Sequence, residues 1–140
     1  KETFLKKAEG FDSNDKVFID RRDDTKFNHC QIINDEEVFQ YLKSKGFSKY
    51  KVGQLSFKNQ IHLFHNAKII IGPHGAAFAN LAFCKPQTKV IEFKPFNHPT
   101  VVNKRISEIN DLNYKLIEAP DFKNEKGDIL IDLNMLKKII

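Results

Sequence analysis

A histidine stands between glycines in Gly72-Pro73-His74-Gly75-Ala76-Ala77, directly after the apolar run Ile69-Ile70-Ile71. A turn of this kind suits an anion. Gly75 permits close approach of a ligand to the backbone. Pro73 stiffens the entry and has no N–H to offer. The first N–H groups of a helix beginning at Ala76 then point outward, where the helix dipole favours negative charge. His74 adds a side-chain donor, so a diphosphate can share its charge between an imidazole and a helix terminus. The alternative is a tight turn with His74 exposed or bonded to a backbone carbonyl, and the turn alone leaves the two readings balanced.

Other residues join the argument through their positions. Arg21 and Arg22 follow the apolar run Val17-Phe18-Ile19, and an arginine fork there suits bidentate phosphate recognition. Pairing with Asp20, Asp23 or Asp24 is the competing use. Glu92 ends Val90-Ile91-Glu92-Phe93; a carboxylate at that place accepts both hydroxyls of a ribose, or pairs with Lys94. Asn34 and Ser56 sit where helices begin and are most simply caps, with Ser56 also in reach of a nucleoside. Asn80 is placed to steady the glycine turn. His62 and His65 are three apart, yet they lie off the apolar face of their helix and have no third ligand nearby, so a metal is not expected. His29 and His98 carry no assignment.

These residues need a scaffold that gathers the ends of several strands. Strand-like and helix-like stretches alternate along the chain. Strands are expected at Val17–Asp20, Lys51–Leu55, Lys68–Gly72, Lys89–Phe93 and Tyr114–Ala119, with a short last one at Ile129–Ile131. Between them lie helices. The first is capped by Asn34 in a capping box with Glu37. The second carries Phe57, Ile61, Phe64 and Ala67 on one side. A third, short one spans Ala76 to Phe83, and a fourth after Thr100 turns Val102, Ile106 and Ile109 inward. A terminal helix closes the chain. The pattern predicts an α/β doubly wound Rossmann-like domain, with a mostly parallel sheet and helices on both faces. Ligands of such a sheet bind beyond the carboxyl ends of its strands.

Composition narrows the classes. The chain has 140 residues and a net charge of +5, enough for one core and mildly favourable to an anionic ligand. The lysines are spread along every segment, without the basic–aromatic clusters of a nucleic-acid site. No apolar run approaches the ~20 residues that span a bilayer, and the start of the chain does not read as a signal peptide. Cys30 and Cys84 fit no metal or redox spacing and are expected to be free thiols of a reducing, cytoplasmic compartment. Gly-x-Ser-x-Gly, Walker and Gly-x-Gly-x-x-Gly signatures are missing. The first residue is Lys, consistent with processing or with a piece of a longer protein.

Taken in order, FIDRRD, IINDEEVFQYLKSKGF, LSFKNQIHLFHNAKIIIGPHGAAFANLAF and KVIEFKP resemble the family 61 glycosyltransferases from about Val17 to Pro95. The most specific piece is an apolar helix ending in Asn-Ala, a strand, Gly-x-His-Gly-Ala, and an asparagine five residues on. The resemblance implies a GT-B type enzyme, inverting and metal-independent, using a nucleotide sugar, usually a UDP-sugar. It implies that residues 1–140 form one Rossmann-like nucleotide-sugar-binding domain, the C-terminal half of such an enzyme. Arg21, His74, Gly75 and Glu92 then match motif positions facing the donor, and Asn34 matches a motif asparagine. Asp20 stands where the family has serine, and Ala77 where it has glycine. The glycan acceptor, and usually the catalytic base, would come from a second domain or subunit, so this domain alone should transfer poorly. The activity expected is polysaccharide biosynthesis, such as that of a capsule. A non-catalytic nucleotide or sugar-phosphate module acting through a partner protein would use the same loop.

Overall fold

Three β-branched residues in succession, Ile69-Ile70-Ile71, suit a strand covered on both faces, and the sheet is built around them. The computed structural model describes residues 11–21, 30–96, 98, 100–119 and 128–140. Its strands are β1 (Lys16–Ile19), β2 (Ser48–Tyr50), β3 (Ile69–Pro73), β4 (Lys89–Pro95) and β5 (Asn113–Ala119). They form one sheet in the order β2-β1-β3-β4-β5, with every pair parallel. In register, Phe18 faces Ile71 and Ile71 faces Ile91. The helices are α1 (Asp35–Ser44), α2 (Phe57–Asn66), α3 (Val102–Ile109) and α4 (Leu133–Lys137), with a 3₁₀-helix over Ala76–Phe83.

Strand alternation divides the core in two. Phe18, Ile71, Ile91 and Phe93 pack with Val38 and Leu42 of α1 and Leu136 of α4. Val17, Ile19, Ile70 and Val90 pack on the other face with Leu63 and Phe64 of α2 and with Phe78 and Leu81 of the 3₁₀-helix. The doubly wound α/β expectation is therefore met, with helices on both faces.

Four local expectations are corrected. The second strand is Ser48–Tyr50, and Val52–Gln54 is a 3₁₀ turn. Its polarity hid it. Lys49 lies 4.5 Å from the Phe39 ring centre and meets Asp35 at 2.5 Å with both side chains nearly buried, so its stem packs like an apolar chain while its charge is paired. Phe57 is 60% exposed instead of facing the core. On α3 the buried residues are Asn103 and Ser107, while Val102 and Ile109 are exposed; that helix covers a polar group on β4, described below. The stretch Ile129–Ile131 makes only a bridge, Ile129 to Ile32.

Asn34 explains that last difference. Its side chain does not cap α1. The Nδ2 group donates to the Ile131 carbonyl at 2.8 Å, and Oδ1 accepts from the Ile131 N–H at 3.0 Å. An amide side chain thus imitates a neighbouring backbone and holds the C-terminal segment. Asn34→Ala should cost about 1–2 kcal/mol for two lost hydrogen bonds. Urea unfolding checks the total, and faster amide exchange at Ile131 locates it.

Candidate functional site

β1 feeds α1 on one face and β3 feeds the 3₁₀-helix on the other, so the β1–β3 boundary is the switch point of the sheet, where a crevice opens beyond the strand ends. A cavity of about 400 Å³ lies there. Gly75, Ala76 and Ala77 line one side, Ile19, Asp20 and Arg21 another, and Gln54, Gln60 and Asn80 also reach it. The N–H groups of Ala76 and Ala77 head the 3₁₀-helix and precede any acceptor within it. Asn80 donates to the Ala77 carbonyl at 3.2 Å and to Gln60 Oε1 at 3.1 Å, which ties the first turn to α2.

The glycines answer to packing. A Cβ on Gly72 would stand 2.8 Å from that of Ile19, so this residue lets β1 and β3 close together. A Cβ on Gly75 would stand 1.8 Å from Arg21 Nη1. Gly75 has an extended backbone, with φ 172°, which any residue adopts; the glycine is required because the Arg21 guanidinium occupies the place a Cβ would take. Nη1 also donates to the His74 carbonyl at 2.5 Å. The space expected for a ligand over Gly75 is taken by Arg21, which itself borders the cavity. Arg22 lies outside the described residues.

The His74 imidazole turns the other way, toward β4. Its Nδ1 donates to Glu92 Oε2 at 2.7 Å. Glu92 is 1% exposed and accepts two further bonds. Asn103 Nδ2 donates to Oε2 at 2.5 Å, and the Tyr114 hydroxyl donates to Oε1. Burial pushes this carboxyl up, but the bonds from His74, Tyr114 and Asn103 outweigh it and hold Glu92 below its ordinary 4.5. Burial first, and then the neighbouring carboxylate, push the Tyr114 phenol well up. Lys94, the other partner offered by the sequence, donates to the Thr100 carbonyl instead. Both Glu92 oxygens are therefore engaged within the protein. It stands behind His74, and its geometry gives no opening for ribose hydroxyls.

Of the remaining expectations, Ser56 is exposed and accepts from Asn59 N at 3.2 Å as the cap of α2, apart from the cavity lining. Asn34 is occupied with Ile131. His65 Nδ1 lies 3.1 Å from the Phe83 carbonyl, and among the described residues no group of three or more His, Cys, Asp or Glu is arranged to hold a metal. Both cysteines are buried free thiols; burial pushes Cys84 up to about 12 and raises Cys30 as well. Asn103 and Tyr114 escaped the sequence reading. The one available signal was the i, i+4 pair Asn103 and Ser107 interrupting an apolar helix pattern.

Two outcomes test this geometry. Gly75→Ala should destabilise the chain and displace Arg21. In a double-mutant cycle with Arg21→Ala, denaturation should give a coupling of about 1–3 kcal/mol. The depressed Glu92 carboxyl contributes stability that is complete above its ordinary 4.5 and is lost as pH falls through its lower folded value. Glu92→Gln should therefore flatten the acid limb of a stability–pH curve.

Comparison with known proteins identifies the family. A family model described as Glycosyltransferase 61 matches residues 2–91, which include β1 with Arg21 and the whole His74 loop. A β-1,2-xylosyltransferase RCN11 from Oryza sativa subsp. japonica is 26% identical over 117 residues, covering 77% of this chain and 22% of its own. A β-1,2-xylosyltransferase from Arabidopsis thaliana is 24% identical over 121 residues, covering 77% of this chain and 23% of its own. The chain thus spans less than a quarter of either relative's length. With more than half its residues matched, through the strand ends that form the crevice, the chain belongs to glycosyltransferase family 61.

Proposed function

We propose that this chain is the donor-binding part of a GT-B type, inverting, metal-independent glycosyltransferase, and that its ligand is a nucleotide sugar, a UDP-sugar first of all. The observation that carries the reading is the cavity at the β1–β3 switch point, where Arg21 and the first residues of the 3₁₀-helix, Ala76 and Ala77, border one space. Charge develops on the departing diphosphate during transfer, and fixed donors aimed at it lower the barrier. Arg21 and the Ala76 and Ala77 amides are the groups for that task, on a turn that the Glu92–His74 contact holds in place; in this reading they supply the charge balance that a divalent ion supplies in other transferases.

The glycan acceptor and the base that takes its proton belong to a second domain or subunit, since one crevice cannot enclose the reacting centre from both sides. Assembly of a polysaccharide is the proposed context. Two relatives are named for β-1,2-xylosyl transfer, so UDP-xylose belongs in the ligand panel beside UDP and UDP-hexoses.

Calorimetric titration tests the reading. UDP should bind, and Arg21→Ala should weaken it about ten- to a hundredfold, the worth of one charge-assisted hydrogen bond. His74→Ala, which loosens the turn that carries Ala76 and Ala77, should cost less. Equal UDP affinity in wild type and both variants would exclude Arg21 as a diphosphate ligand and the turn as its support.

A further inference from the structure

The geometry points to Asn103 and Tyr114 as positioning residues of this site: by donating to Glu92 they fix its carboxylate on His74 Nδ1, which sets the ring's tautomer and holds the turn that carries Gly75, Ala76 and Ala77 into the cavity. The identity of the ligand rests on the donor reading above; the positioning does not.

The arrangement is built from four elements. Glu92 reaches out of β4, Tyr114 comes from β5, Asn103 from α3, and His74 from the turn after β3. The backbone N–H of His74 donates to the Phe93 carbonyl at 2.8 Å, so the turn and β4 hold both the main chain and the ring of residue 74. The Ser107 hydroxyl donates to the Asn103 carbonyl one turn back at 2.8 Å, so its own polar group is satisfied within the buried face of α3. This helix leaves Val102 and Ile109 in solvent while burying Asn103, an orientation that burial of apolar surface would not select.

The chemistry follows from lone pairs. An ionised carboxylate only accepts, so the hydrogen between it and His74 stays on Nδ1. Nε2 is then the ring nitrogen that the Glu92 contact leaves open to other partners. The groups facing the ring or its turn are Glu92 from β4, Tyr114 from β5, Asn103 from α3, His98 with its ring 4.4 Å away, and Arg21 on the His74 carbonyl. Cys30 interacts with both Arg21 and Glu92.

The test reads the ring directly. The chain is labelled with ¹⁵N-histidine, and the ring-nitrogen shifts of His74 are followed with pH in the absence of ligand. In wild type the neutral ring should carry its hydrogen on Nδ1. Glu92→Gln should populate the Nε2–H form, and Tyr114→Phe and Asn103→Ala should move the signals the same way, by less. Tyr114→Phe keeps the ring and its packing and is the variant to rely on if Asn103→Ala fails to fold. Asn34→Ala, destabilised elsewhere, should keep the wild-type ring signals. UDP affinity should drop about three- to tenfold in Tyr114→Phe and Asn103→Ala. Ring signals that match wild type in Glu92→Gln and Tyr114→Phe overturn the positioning role whatever UDP does. Signals that respond while no nucleotide diphosphate binds support the positioning and overturn the donor reading instead.

Discussion

A carboxylate taken out of water needs donors at its oxygens or it takes up a proton. Glu92 is such a group, and the side of the molecule from β3 to β5 is arranged around meeting that need. Tyr114 gives up an exposed hydroxyl to reach Oε1. Asn103 is brought inward at the expense of apolar contacts on its own helix. His74 supplies the third bond. Replacing Glu92 by an aliphatic residue would free all three partners to find others, and the imidazole would lose the one contact that sets its tautomer. Buried acceptors of this kind are high-stakes in a low dielectric, because satisfied they specify one geometry and unsatisfied they cost more than they return.

Residue 74 lies where two constraints meet. Its side chain is held by Glu92 from β4, and its carbonyl by Arg21 from the end of β1. Gly75 makes the second contact possible, because a side chain there would occupy the place of the guanidinium. Arg21 and Gly75 are thus one unit, seen in sequence as two motif fragments more than fifty residues apart and in the fold as a planar cation on a bare backbone. Preorganisation of this kind matters for a leaving group, since donors already in place need not reorganise when charge appears.

What the sequence made legible follows from what side-chain patterns encode. Ile69-Ile70-Ile71 and Val90-Ile91 announce strands covered on both faces, and their alternation with helices was enough to give the parallel, doubly wound sheet. The Gly-Pro-His-Gly turn and the arginine after β1 were recognisable because glycine and arginine carry geometry in their chemistry. Lys49 concealed β2, since polarity predicts exposure unless the partner Asp35 is known to be adjacent. Asn34 beside Glu37 looks like a capping box; its actual partner, Ile131, is 97 residues away, beyond any local pattern. Glu92 was placed on the right strand end but given the wrong neighbour to watch, because its partners come from α3 and β5 and only the assembled sheet brings them together.

The cavity itself is not uniformly cationic, and this bears on what can occupy it. Arg21 and the head of the 3₁₀-helix border part of it, while Asp20, itself 2% exposed, and the amides Gln54, Gln60 and Asn80 border the rest. A carboxylate repels phosphate and accepts from hydroxyls; amides both donate and accept. A bare phosphate would satisfy the first group and gain nothing from the second. On the proposed donor reading, a ligand that joins an anionic bridge to hydroxyl-bearing rings would set its charge toward Arg21 and its hydroxyls toward the amides. Serine in place of Asp20 would remove a negative charge from the cavity wall, so the aspartate makes that wall less favourable to any anion than Arg21 alone would leave it.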